Sequence, residues 1–134
     1  MNTIAVRTTS KTQWIDITAQ VHEQVNLSGV KNGLAVVYVP HTTAGITINE
    51  HADPAVVQDI NEKLSELVPD NGPYSHLEGN SAGHIKASLM GSSQSVIIKD
   101  SRLQLGTWQG IFFCELDGPR SRQVYVKVIS ESDD

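Results

Sequence analysis

Thr3 to Thr8 alternates, with Ile4 and Val6 on one side and Thr3, Ala5 and Arg7 on the other, which predicts a half-buried strand. A polar break, Thr9-Ser10-Lys11-Thr12, leads to a short second strand over Trp14-Ile15-Asp16-Ile17, expected to form a hairpin with the first. Thr18 then stands where an N-cap belongs, Val21 and Val25 lie four apart, and Ser28-Gly29 ends the short helix they predict. His22, within that helix, is expected to face solvent. Leu34 to Val39 is an unbroken apolar run, the mark of a strand covered on both faces, and Pro40 stops it because proline cannot donate to a ladder. Ile46-Thr47-Ile48 predicts another short strand, with Gly45 at a bend or close backbone approach.

Asp53-Pro54 is a strong helix start, and Val56, Ile60, Leu64 and Leu67 follow at spacings that form one apolar stripe, up to Pro69. Residues 70–81 have the composition of a long loop, of the kind that often carries function. Ser81 is expected to cap a third helix with Ile85 and Leu89 inward and Gly91 as its terminator. Val96-Ile97-Ile98 predicts a strand, Lys99-Asp100-Ser101 a turn, and Leu103 and Leu105 the start of a further strand. Ile111 to Leu116 is apolar on both faces apart from Glu115. Past the turn at Asp117-Gly118-Pro119-Arg120, Val124, Val126 and Val128 alternate with polar positions, and the two strands are expected to pair as an antiparallel hairpin. Ser130 to Asp134 reads as a frayed acidic tail.

Length bounds this picture: 134 residues are enough for one domain with a sizeable core, here taken as residues 1–134. The net charge of -5 argues against a general nucleic-acid binder but leaves room for a local anion pocket. A lone cysteine, Cys114, excludes an intrachain disulfide and sits in an apolar run as inert core. No apolar run approaches the roughly 20 residues of a membrane span, and the N-terminus lacks a signal-peptide core, so a cytoplasmic protein is expected.

The densest chemistry lies between Val39 and Pro54, where His41, His51, Glu50, Asp53, Asn49 and three threonines join a strand to a helix. Polar groups so placed must satisfy one another or face a ligand. His41 after a buried strand, His76 in the long loop and His84 at a helix start come from different elements, as the ligands of a catalytic zinc-type site do. Their spacing matches no short metal motif, and three hydrogen-bonded or surface histidines remain the alternative. Glu50 and Asp53 are the candidate catalytic carboxylates: Glu50 as general base or orienter of a histidine, and Asp53 with a helix cap as its plainer reading. Arg120 and Arg122, with Thr42, Thr43, Asn80 and Ser81, are candidate donors to a phosphate, though no P-loop motif is present and a solvated turn is the plainer reading of the arginines. Trp108 and Gln109, between glycines, suit a pocket floor or a subunit contact.

Taken in order, P-H-T-T-A-G-I-T-I-N-E (40–50), D-P (53–54), Y-S-H (74–76), N-S-A-G-H-I-K (80–86), L-G-T-W-Q-G (105–110) and D-G-P-R-S-R (117–122) resemble the YjbQ-like family, named for secondary thiamine-phosphate synthase activity. His51 and Lys99-Asp100-Ser101 are the less typical positions. The resemblance covers nearly the whole chain and implies an α+β domain with a large, mainly antiparallel sheet, working as a homotrimer. It also implies a divalent metal (zinc, magnesium or manganese) at His41, His76 and His84, with the family's acidic and basic positions falling on Glu50, Asp53, Arg120 and Arg122. The activity so implied is a metal-dependent transfer on a small phosphorylated or diphosphorylated substrate, with cations around a departing diphosphate. The alternatives are a non-catalytic trimeric module binding a metal or anion, and a phosphohydrolase with Glu50 as base. In a trimer, loop 70–81 is too polar to pack as core and is expected to help form a pocket shared between chains.

Overall fold

The computed structural model describes residues 1–76 and 78–132 and is a single α+β domain. Its elements are β1 (Asn2–Arg7), β2 (Gln13–Asp16), α1 (Thr18–Ser28), β3 (Gly33–Tyr38), β4 (Ala44–Glu50), α2 (Pro54–Leu67), α3 (Ser81–Met90), β5 (Ser93–Lys99), β6 (Arg102–Leu103), β7 (Gln109–Glu115) and β8 (Ser121–Ser130). Five strands form one sheet in the order β1-β8-β3-β5-β6, and three form a second in the order β2-β7-β4. Every pairing among them is antiparallel. The core lies between the sheets: Ile4, Val6, Val37, Val96, Val124 and Val126 of the first meet Ile46, Ile111 and Phe113 of the second, with Ile17 and Val21 closing one side.

The predicted hairpins are where the chain departs from its local pattern. β1 pairs with β8 rather than β2, and β2 pairs with β7. The polar break at residues 9–12 carries the chain from one sheet to the other, and the buried Thr8 just before it fixes the crossing by donating to Glu115 Oε1 at 2.7 Å. Likewise β7 and β8 do not pair with each other. β7 lies between β2 and β4, and β8 between β1 and β3. Alternation tells which face of a strand is buried, not which neighbour completes its ladder.

Burial corrects three further expectations. β3 is covered on one face only: Ala35 and Val37 are buried, while Leu34 and Tyr38 are 40% and 44% exposed. In α3 the inward face is Ala82, Gly83, Lys86 and Ala87, and Ile85 and Leu89 point out. Small side chains win there because the helix lies directly on the end of β7, where a Cβ on Gly83 would stand 2.8 Å from the Leu116 carbonyl oxygen. The stripe of α2 is half-buried at Val56, Ile60 and Leu64 and exposed at Leu67. His22 is half-buried.

Helix ends are closer to expectation. Asp53 caps α2 by accepting from the Ala55 N–H at 2.9 Å, with Pro54 at the first helical position. Gly29 ends α1 in the left-handed conformation, φ 71°. Thr18 and Ser81, however, are the first helical residues rather than the caps, which are Ile17 and Asn80. β6 has only two residues. The frayed tail expected over 130–134 falls partly outside the described residues, and β8 runs through Ser130. Among the described residues no helix is long and apolar enough to cross a membrane.

Candidate functional site

β3 ends at Tyr38 opposite Tyr125 of β8, so the register continued two residues further sets Pro40 opposite Gln123. Proline and the turn that follows cannot continue the ladder, and the Gln123 N–H would be left without a partner. His41 supplies one: its Nε2 accepts from that N–H at 2.9 Å. The imidazole is thereby seated against β8, at the mouth of an open pocket of about 530 Å³ lined by His41, Thr42, Ala44, His84, Ala87, Ser88, Gly91 and Ser92. Burial, and then the Arg122 cation, hold His41 below the ordinary imidazole range.

Behind His41 lies a buried ionic network. Glu115 is fully buried and Arg122 is 6% exposed. Arg122 Nε donates to Glu115 Oε1 at 2.9 Å and Nη2 donates to Glu115 Oε2, so the fork grips the carboxylate on both oxygens. Nη2 also donates to Thr43 Oγ1 at 2.9 Å. Burial by itself would raise the Glu115 carboxyl, but hydrogen bonds from Arg122, Thr8 and the Asp117 N–H outweigh it and hold the group below its usual range. A second network anchors the start of α3: Asn80 Nδ2 and Arg120 Nη2 donate to Asp117 Oδ2 at 2.9 and 2.8 Å.

Two of the six expected anion contacts therefore line pockets and four are engaged in these networks. Thr42 lines the pocket beside His41, and Ser81 lines a second one. Thr43, Asn80, Arg120 and Arg122 give polar groups to the networks just described, and both arginine forks are engaged by carboxylates.

The second pocket, about 410 Å³, is formed by Pro73, Tyr74, Ser75, His76, Ser81, His84 and Ile85. Tyr74 holds its loop by donating to the Pro69 carbonyl. The His76 and His84 rings meet edge to face, 5.4 Å between centroids, and His84 forms a wall common to both pockets. His76 Nε2 also lies 3.9 Å from Glu78 Oε1. The structure thus joins His84 to His76 in one pocket and to His41 in the other. Among the described residues no group of three or more His, Cys, Asp or Glu side chains comes together as a metal centre would.

The candidate acids stand elsewhere. β4 starts beside the pocket at Ala44 and ends at Glu50, opposite Gln109, roughly 20 Å further along an extended strand. The Asp53 carboxylate serves its helix cap. His51, beyond Glu50, pairs through Nδ1 with Asp16 Oδ2 at 2.9 Å. Trp108 is 63% exposed, and burial pushes the Cys114 thiol up, out of reach of reaction as a thiolate. Sequence reading missed Glu115, Thr8 and Asp117 as the network's carboxylates and hydroxyl, and Ser88, Ser92 and Tyr74 as pocket residues. Glu115 did leave a signal, as the one charge within an apolar run.

Residues 2–131 match the family model described as UPF0047 protein YjbQ-like. A UPF0047 protein of Methanocaldococcus jannaschii is 56% identical over 94% of this chain and 91% of its own length. The UPF0047 protein YugU of Bacillus subtilis is 48% identical over 96% and 98%. Among solved structures, an uncharacterized YjbQ/UPF0047-family protein from Clostridium acetobutylicum superposes with a TM-score of 0.95 at 56% identity, covering 96% of this chain and 100% of that one. A protein of unknown function from Sulfolobus solfataricus reaches 0.94 at 35% identity, over 97% and 96%. With the motifs, the two-sheet fold and these likenesses in agreement from end to end, the chain belongs to the UPF0047 YjbQ-like family.

Proposed function

We propose that this protein is a cytoplasmic enzyme acting on a small phosphorylated or diphosphorylated substrate, with thiamine-phosphate synthesis as a secondary activity. The observation that carries the reading is the chemistry of the pocket wall. His41, Thr42, His84, Ser88 and Ser92 offer imidazole and hydroxyl groups, and no carboxylate lines the pocket to repel an anion. The adjoining pocket presents Tyr74, Pro73 and Ile85, a surface suited to an aromatic or apolar moiety. One substrate with an anionic end and a ring would span both, passing His84.

His84 is the group best placed for proton transfer. Its imidazole has no hydrogen-bond partner among the described residues and faces both pockets. In a metal-loaded form His76 and His84 would instead be the two protein ligands, the remaining positions falling to substrate oxygens, whose charge the metal would neutralise. Neither Glu50 nor Asp53 has a part in this pocket. The homotrimer that goes with this reading is supported by the outer face of the five-stranded sheet. There Leu34 lies between Ile97 and Ile129 on neighbouring strands, the last two 62% and 46% exposed, and Tyr38 stacks on Tyr125.

The test is turnover of phosphorylated compounds, the two thiamine-phosphate synthase substrates included, by wild type and His84→Ala. The expected result is wild-type turnover that falls about a hundredfold or more in the variant. Equal turnover in both contradicts the role of His84. Tight anion binding without turnover of any compound would favour a binding module, a reading that the absence of a carboxylate base from the pocket also supports.

A further inference from the structure

We infer that His41 is a hydrogen-bond donor to an anionic oxygen of the ligand and not a metal ligand, so that the three histidines of this site divide into two chemistries. A neutral imidazole has one N–H and one lone pair. The lone pair of His41 is on Nε2, where it accepts the Gln123 N–H at 2.9 Å. The proton therefore resides on Nδ1. That atom has no hydrogen-bond partner among the described residues and is not sealed from solvent, and the ring lines the pocket beside Thr42 and Ser92. A metal ion needs a lone pair, and here none is presented.

The fold enforces this state. Protonating Nε2 would set N–H against N–H at the end of the β3–β8 ladder, while burial, and then the nearby Arg122 guanidinium, disfavour a positive charge on the ring. His41 is thus a fixed, uncharged donor that shares its pocket with His84, and among the described residues neither His84 nor the His76 ring beside it accepts a backbone N–H. An oxygen of a phosphate or diphosphate between Thr42 and Ser92 is the group that a donor so placed would hold. The choice of ligand rests on the proposed function, whereas the state of the ring does not.

Long-range 1H–15N spectra of the full-length labelled protein read the tautomer directly, with His41→Gln identifying the signal. The expected spectrum has His41 neutral with its proton on Nδ1, unmoved by zinc, while His76 and His84 respond to zinc. Titration of inorganic pyrophosphate gives the second readout. His41→Gln keeps an acceptor for the Gln123 N–H but lacks the Nδ1 donor, and is expected to bind pyrophosphate about tenfold or more weakly with zinc affinity unchanged. His41→Asn, which restores a donor near Nδ1, is expected to recover part of the loss. A proton on Nε2, a His41 signal displaced by zinc, or equal pyrophosphate affinity in wild type and His41→Gln overturns the assignment. Wild type that binds no pyrophosphate overturns the proposed ligand, and the tautomer still decides whether His41 can hold a metal.

Discussion

Glu115 of β7 and Arg122 of β8 form a buried, two-point ion pair between sheets that share no ladder. Thr8 and Thr43 add their hydroxyls to it, so three stretches distant in sequence meet at one charge pair. The pair is near enough to His41 for both charges to act on its imidazole, and Arg122 holds Thr43, the neighbour of the pocket residue Thr42.

Removing one partner leaves the other buried without compensation. Arg122→Met is expected to cost about 3–5 kcal/mol in urea denaturation. The double variant Glu115→Leu/Arg122→Met, which removes both charges, is expected to be more stable than that single variant. A single variant within 1 kcal/mol of wild type would show the pair to be dispensable.

The same pair sets an acid dependence. The Glu115 carboxyl is held below its ordinary value, so the folded state gives up this proton more readily than the unfolded chain. Its contribution is therefore fully present above the unfolded value of about 4.3 and is lost as pH falls through the lower, folded value. Denaturation midpoints measured between about pH 3 and pH 7 should fall steeply at the acid end, and less steeply in Glu115→Gln. An acid limb of equal slope in the variant would place the sensitivity elsewhere.

Gly83 is where α3 touches the end of β7. Gly83→Ala would drive a Cβ to within 2.8 Å of the Leu116 carbonyl oxygen, which belongs to backbone and cannot give way cheaply. About 1–3 kcal/mol of destabilisation is expected, with weakened anion binding because α3 carries His84. Unchanged stability and binding would mean that the helix has slack to move.

Ile97 is the most exposed of the three apolar residues on the outer sheet face. If that face joins subunits, Ile97→Asp should convert a trimer to monomer in light-scattering measurements while leaving the far-ultraviolet circular dichroism intact. A wild type that is monomeric at the same concentration contradicts the proposed trimer.

How much of this could be read in the sequence depends on how local each cause is. Gly29, the Asp53–Pro54 helix start and the Val124–Val128 alternation act through neighbours a few residues away, and all three stand as the pattern indicates. Strand pairing was not legible. Thr8 meets Glu115 and Thr43 meets Arg122 across 107 and 79 residues, and no periodicity encodes such a meeting. α3 misled for a physical reason: Ile85 and Leu89 follow the ordinary apolar rhythm, but close approach at Gly83 turns inward the face of Ala82, Gly83, Lys86 and Ala87. At the site, histidines 41, 76 and 84 were legible as chemically capable residues. What Nε2 of His41 does was not, because the N–H that occupies it lies 82 residues away on β8.

The most direct measurement of the central claim is a backbone amide perturbation map of the wild-type protein on addition of inorganic pyrophosphate. Shifts concentrated at Thr42, His84, Ser88 and Ser92, saturating with one binding constant and absent in His84→Ala, are the predicted result. Saturating shifts centred elsewhere, or none at all, would contradict an anion site in this pocket and with it the proposed phosphorylated substrate.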